Sequence, residues 1–204
     1  MKQPQRLRQT PPSQDAQVPP GQFVTEKFPV LTYGPTPHIS LAEWRLRLFG
    51  LVEQEVELTW ERLMSLPQST VTADFHCVTQ WSRQNNRWEG VPFRELLTVV
   101  KPRPEARYVL VHCYGGYTTN LPLETLLDDG VLLARTHDGA PLAQEHGGPL
   151  RLVVPKRYGW KSAKWVNGLE FLAENQMGFW ELRGYHHNAD PWKEERFWPE
   201  LAQR

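Results

Sequence analysis

Cysteine occurs twice in this chain, each time directly after a histidine: His76-Cys77 in "DFHCVTQWS" and His112-Cys113 in "VLVHCYGG". A thiolate is a nucleophile and a soft metal ligand, so these residues allow a metal centre, a redox thiol or an inert buried cysteine. The two pairs together match the donor count of a Cys2His2 zinc site. Neighbours on an extended chain point to opposite faces, however, and a His-Cys pair does not readily deliver both side chains to one ion. The same alternation leaves open an approach of Cys77 to Cys113 across neighbouring strands.

A second constellation is "EHGGPLRLVVPKRYGWKSAKW", residues 145–165. His146 precedes two glycines and a proline, which force a tight turn, and Arg151 opens a strand. Lys156, Arg157, Lys161 and Lys164 fall within nine residues, the densest positive run in the chain. Gly147, Gly148, Gly159 and Ser162 offer close backbone approach and donors beside that charge, a combination suited to phosphate. An anion-binding loop is therefore expected, while a solvated basic face accounts for the same composition. The threonines and glycines of "YGGYTTNLPLETLL" suit a plain hairpin-to-helix connection. His186 and His187 suit surface or packing positions.

The elements that must present these residues are short. Trp44, Leu46 and Leu48 alternate with Arg45 and Arg47 as in a half-buried strand, and "VELTWERLMSLP" predicts a strand end and a helix capped at Thr59. Val71, Ala73 and Phe75 alternate and carry the chain to Cys77, which places the thiol where a strand passes into a loop. "VPFRELLTVV" predicts a helix with proline in its first turn and Phe93, Leu96 and Leu97 on one face. "RYVLVHC" predicts a buried strand, and "LPLETLLDDG" a helix closed by glycine. Strands follow at "VLLAR", "PLRLVVP" and "KWVNGLEFLAE", with "HDGAPL" as a turn. Strands outnumber helices without regular βα alternation, so the expected class is α+β with mixed β-sheets and short helices.

At 204 residues the expectation is a single domain over 23–204, preceded by a polar, proline-rich arm at 1–22 that is disordered or loosely draped. An aromatic-rich C-terminal arm is expected to pack back from about residue 176. The "FPVLTYGPTP" segment, residues 28–37, is too broken by proline for a regular element and is expected to lie extended over the domain. Lys+Arg and Asp+Glu balance at 23 each, which leaves no general field to draw in nucleic acid or anionic lipid. No run of about 18 apolar residues is present for membrane insertion, and the N-terminus carries neither a secretory apolar core nor a twin-arginine pair. The expected location is cytoplasmic, where a stable disulfide is disfavoured.

Together, "FHCVTQWSRQNNRWEGVPFRELL", "YTTNLPLETLL" and "EHGGPLRLVVPKRYGWKSAKWVNGLEF" resemble the molybdopterin-binding domain of the sulfite oxidase family, specifically its small bacterial members. The resemblance covers about residues 28–172, and the tail "GYHHNADPWKEERFW" is similar to that of the small members. It implies a molybdenum-molybdopterin cofactor, with no haem or flavin. Cys77 would be the metal ligand and catalytic residue. His146, Arg151, Ser162, Ala163 and Lys164 match cofactor contacts, as do Tyr33 and Gly34, and Cys113 falls near a position that contacts the cofactor in a relative. The implied activity is two-electron oxygen-atom transfer on a small sulfite- or sulfoxide-like substrate. Electrons would pass through a separate electron-transfer partner. After Cys77, "VTQWS" resembles the reductase-like branch, and the arginine cluster expected to hold sulfite is not evident. The alternatives are a zinc-binding structural or hydrolytic domain using His76, Cys77, His112 and Cys113, and a cofactor-free binding module that keeps the fold.

Overall fold

The structure, a computed structural model, describes residues 18–198, so the 1–17 portion of the expected arm lies outside the described residues. Residues 18–22 correct that expectation for their part. Pro19 is buried, and the Gln22 side-chain amide donates to the Cys77 carbonyl at 3.2 Å, which ties this stretch to the body.

The strands in chain order are β1 (Phe23–Val24), β2 (Arg45–Gly50), β3 (Val56–Thr59), β4 (Ser69–His76), β5 (Trp81–Pro92), β6 (Tyr108–Cys113), β7 (Thr118–Pro122), β8 (Leu132–His137), β9 (Ala140–Pro141), β10 (Arg151–Val153) and β11 (Val166–Leu172). The helices are α1 (Trp60–Met64), α2 (Phe93–Val100) and α3 (Leu123–Leu126). One sheet runs β1-β5-β8-β10, with β4 added to β5 and β9 to β8; the other runs β3-β2-β11-β6-β7. Both are mixed, since β1 lies parallel to β5 and β11 parallel to β2 while their other pairings are antiparallel. The class is α+β.

Side-chain alternation decides what each sheet covers. Trp44, Leu46 and Leu48 send their side chains inward while Arg45 and Arg47 pair outward with Glu57 and Glu55. These residues join Leu133, Leu152, Val166, Leu169 and the apolar face of α2 in the main core, which draws on both sheets. A second, smaller cluster holds Phe75, Cys77, Trp81, Trp88, Leu132, Ala134 and Val153. Strand β8 contributes Leu133 to one cluster and its neighbours Leu132 and Ala134 to the other. Its unbroken apolar run thus belongs to a strand buried on both faces.

The helices follow local signals with two differences. In α1, Thr59 is the N-cap and its hydroxyl accepts from the Arg62 amide at 3.3 Å. Pro92 is the N-cap of α2, one position before the first turn, and Val100 replaces Leu97 among the fully buried residues. The helix α3 is a single turn. Gly130, at φ 89°, serves the turn into β8, whose lead-in residue Val131 accepts from the Phe93 amide at 3.0 Å. The C-terminal arm runs through 3₁₀ turns at Glu181–Arg183 and Pro191–Lys193, with a bridge between Tyr185 and Phe197.

Candidate active site

Cys77 sits in the turn that joins β4 to β5. Its amide donates to the Trp81 carbonyl at 2.8 Å, and its carbonyl accepts from the Gln80 amide at 3.1 Å. Gln80 takes the left-handed conformation, φ 71°, that such a turn requires before the next strand. Outside contacts brace the turn, because Gln22 bonds the Cys77 carbonyl and the Arg196 guanidinium donates to the Val78 carbonyl. The sulfur lies 3.1 Å from Thr79 Oγ1 and the residue is only 6% exposed. Burial pushes the free thiol above its ordinary range, while Thr79 and Arg196 pull more weakly the other way. The easing of deprotonation by nearby positive charge is the smaller effect. His76 is buried beside it, but its Nδ1 pairs with Ser82 Oγ at 2.8 Å.

Cys77 opens into a cavity of about 350 Å³. The other walls come from five segments far apart in sequence: the 28–33 strap, Tyr117 between β6 and β7, the 146–151 turn, the 159–165 segment, and Trp180 with Tyr185 of the C-terminal arm. Arg151 and Lys164 organise those walls. Arg151 is buried and donates to the carbonyls of His146 and Ser162, both at 2.9 Å. Its guanidinium lies over Phe28, Phe75 and Trp88 at 5.4–5.7 Å. Lys164 Nζ bonds Leu31 O (2.8 Å), Thr32 Oγ1 (2.7 Å) and Glu145 O (2.6 Å), which pins the strap to the 144–147 turn.

Among the described residues neither cation meets a carboxylate. Burial lowers Arg151 to about 10. Burial, then the Arg151 charge, lowers Lys164 to about 8. His146 is lowered by burial and by both cations. Arg151 Nε is also buried without a partner. Two partly desolvated cations without a carboxylate partner favour an anionic occupant. The same cavity presents one soft sulfur donor. This donor set fits a group that bonds sulfur and carries a phosphate.

Of the residues anticipated from sequence, Tyr33, Cys77, His146, Arg151, Ser162, Ala163 and Lys164 all line this cavity. Two do not. Gly34 is exposed next to Tyr33 but does not line the wall. Cys113 lies in the main core, on β6 of the other sheet, with its thiol pushed up by complete burial. Because Cys77 follows β4 of the first sheet, the cysteines are not on neighbouring strands, and both are free. The two His-Cys pairs do not converge either. His112 bonds Glu170 at 2.9 Å, and no group of three or more metal-ligating side chains occurs among the described residues.

The basic run also separates in space. Lys161 is a core residue paired with Glu181, Lys156 pairs with Asp128, and Arg157 donates to Lys156 O and Thr125 Oγ1. The glycines are held by packing within the protein, and of them Gly159 lines the cavity. A Cβ on Gly159 would stand 2.5 Å from the Phe75 ring, and one on Gly148 2.2 Å from the Leu142 carbonyl. The amides of Gly147 and Gly148 already donate to Gln144 O and Ala143 O. Sequence reasoning passed over Phe28, Thr79, Tyr117, Trp160 and Tyr185 as cavity residues. Their one sequence signal was an aromatic content more typical of a lined pocket than of a small core.

Residues 33–180 match the family described as the oxidoreductase molybdopterin binding domain. An uncharacterized oxidoreductase of Bacillus subtilis (strain 168), YuiH, is 45% identical over 185 residues, covering 90% of this chain and 93% of that protein. The putative protein-methionine-sulfoxide reductase subunit YedZ1 of Azospira oryzae is 31% identical over 178 residues, 86% of this chain and 68% of its own. Among solved structures, the sulfane dehydrogenase SoxCD from Paracoccus pantotrophus is similar with a TM-score of 0.64 and 30% identity. That match covers 69% of this chain and 41% of the SoxCD chain.

Proposed function

Because the chain belongs to the oxidoreductase molybdopterin-binding domain family, we propose that its cavity holds one molybdenum-molybdopterin, anchored through the Cys77 sulfur. The observation that carries this reading is the meeting, in one cavity, of a single soft sulfur donor with two cations that have no carboxylate partner. When bound, the group supplies two-electron oxygen-atom transfer.

The residues have distinct tasks in this reading. Cys77 gives the metal its protein thiolate, and Arg151 and Lys164 supply the counter-charge for the cofactor phosphate. His146, Ser162 and Ala163 shape the wall around them, and Tyr33 belongs to the strap along its edge, with Gly34 just outside. Cys113 acts only as core. The chain is assigned no haem or flavin, so a separate electron-transfer partner exchanges electrons with the centre. A cytoplasmic location is part of this reading, and fractionation of the native host would test it.

The substrate is a small, neutral oxo compound such as a sulfoxide. Val78, Thr79, Trp81 and Tyr185, which face the cavity around Cys77, are uncharged. Uncharged walls next to the sulfur offer an anion such as sulfite little compensation for desolvation.

Metal and pterin analysis of protein from a molybdate-supplied host is the direct test. Close to one equivalent each of molybdenum and pterin is expected, with most of both lost in Cys77→Ser. Zinc at one equivalent without molybdenum would overturn the reading. The loaded protein should reduce a dialkyl sulfoxide with a reduced viologen as donor, and turnover of sulfite alone, assayed with ferricyanide as acceptor, would overturn the substrate assignment.

A further inference from the structure

We propose that Thr79 is a positioning residue for the Cys77 sulfur: its hydroxyl donates a hydrogen bond to the metal-bound thiolate and raises the reduction potential of the centre. This rests on the anchoring role proposed for Cys77.

The contact is 3.1 Å from Thr79 Oγ1 to Cys77 Sγ, well inside hydrogen-bond range for sulfur. In the free thiol either atom can be the donor. A sulfur bonded to a metal has lost its proton, so the hydroxyl must then donate. Among the described residues the hydroxyl has no other hydrogen-bond partner, although threonine in a turn ordinarily bonds nearby backbone. Nor is its placement left to chance. The Gln80 amide closes the turn on the Cys77 carbonyl, Arg196 holds the Val78 carbonyl between them, and a β-branched side chain has few rotamers to explore. Thr79 also lines the cavity, so its hydroxyl reaches the sulfur at the edge of the space the cofactor would take.

A hydrogen bond to a ligating sulfur draws electron density from it, weakens its donation to the metal and stabilises the more reduced state. Threonine at this position thus biases the centre toward the reduced form independently of substrate.

The experiment is a potentiometric titration of the holoenzyme, followed by the paramagnetic resonance of the one-electron-reduced metal, on wild type, Thr79→Val, Thr79→Ala and Thr79→Ser. The two variants without a hydroxyl should shift to a more negative potential, and Thr79→Ser should stay with wild type. In the oxidised proteins, the sulfur-to-metal charge-transfer band of Thr79→Val and Thr79→Ala should move to longer wavelength. Potentials of both at the wild-type value overturn the proposal and leave Cys77 as the anchor. Equal molybdenum content in wild type and Cys77→Ser removes the anchor itself, and with it both readings.

Discussion

Lys161 Nζ lies 2.6 Å from Glu181 Oε1, with both side chains fully removed from solvent. The same carboxylate oxygen accepts from Trp160 Nε1 (2.9 Å) and Thr119 Oγ1 (3.1 Å), while Lys161 also donates to the Asn120 carbonyl at 2.7 Å. Trp160 and Trp180, the neighbour of Glu181, both line the cavity, so this pair joins the C-terminal arm to the wall it completes. Replacing one partner strands the other charge in the core. Lys161→Met should therefore cost about 3–5 kcal/mol in urea denaturation, and adding Glu181→Gln should recover part of it. Strictly additive costs would show that the two residues are not coupled.

The pH dependence of stability should carry the signature of His137. Its ring stacks on Trp88 with centroids 4.2 Å apart, and its Nε2 lies 2.9 Å from Asn86 Oδ1 and 3.0 Å from an Arg83 nitrogen. Burial holds it down to about 4 from 6.5, helped by Arg83, Arg151 and His146 and opposed by Asp138. Between those values the unfolded state binds a proton that the folded state does not. Stability therefore falls as pH drops from 6.5 toward 4, by on the order of 3 kcal/mol from this residue. Comparing urea midpoints at either end of that window should show a smaller drop in His137→Gln than in wild type. An equal drop would assign the acid sensitivity elsewhere.

Gly159 has no room for a methyl group. A Cβ there would stand 2.5 Å from two carbons of the Phe75 ring, which itself lies under Arg151 and stacks on Trp81. Its backbone does not lie in the left-handed region, so the penalty is purely steric. Gly159→Ala should cost about 1–3 kcal/mol by thermal unfolding and lower the cofactor content, because the displaced ring forms part of the cavity wall. An unchanged melting temperature would mean that Phe75 can move aside freely.

The two cysteines should separate cleanly. Cys113→Ala removes a buried sulfur from the main core and should cost about 1 kcal/mol while leaving the molybdenum and pterin content as in wild type. Cys77→Ser should do the reverse, with a small effect on folding and a large loss of cofactor. Similar cofactor losses in both variants would return Cys113 to the site.

The sequence by itself determined several local elements, though not β5 or β7, and where along them Cys77 falls. Alternation at 44–48 and 71–75 led to β2 and β4, the Thr59 cap began α1, and the turn chemistry after Phe75 put Cys77 at a strand end. These features depend on neighbours a few residues apart, which sequence periodicity reports directly. Seven of the residues that the resemblance named line one cavity, a convergence that spacing alone does not show.

Only the tertiary structure decided which charges reach the cavity. Lys156, Arg157, Lys161 and Lys164 look equivalent in a nine-residue run, yet Lys164 alone among them lines the wall, and Lys161 is sealed in the core by an acid twenty residues away. The two His-Cys pairs look alike as well, and the packing of two separate sheets sends Cys77 to the cavity and Cys113 to the core. Burial and counter-charge set the role of an ionisable group. Both arise from contacts among segments far apart in the chain, which no local pattern encodes.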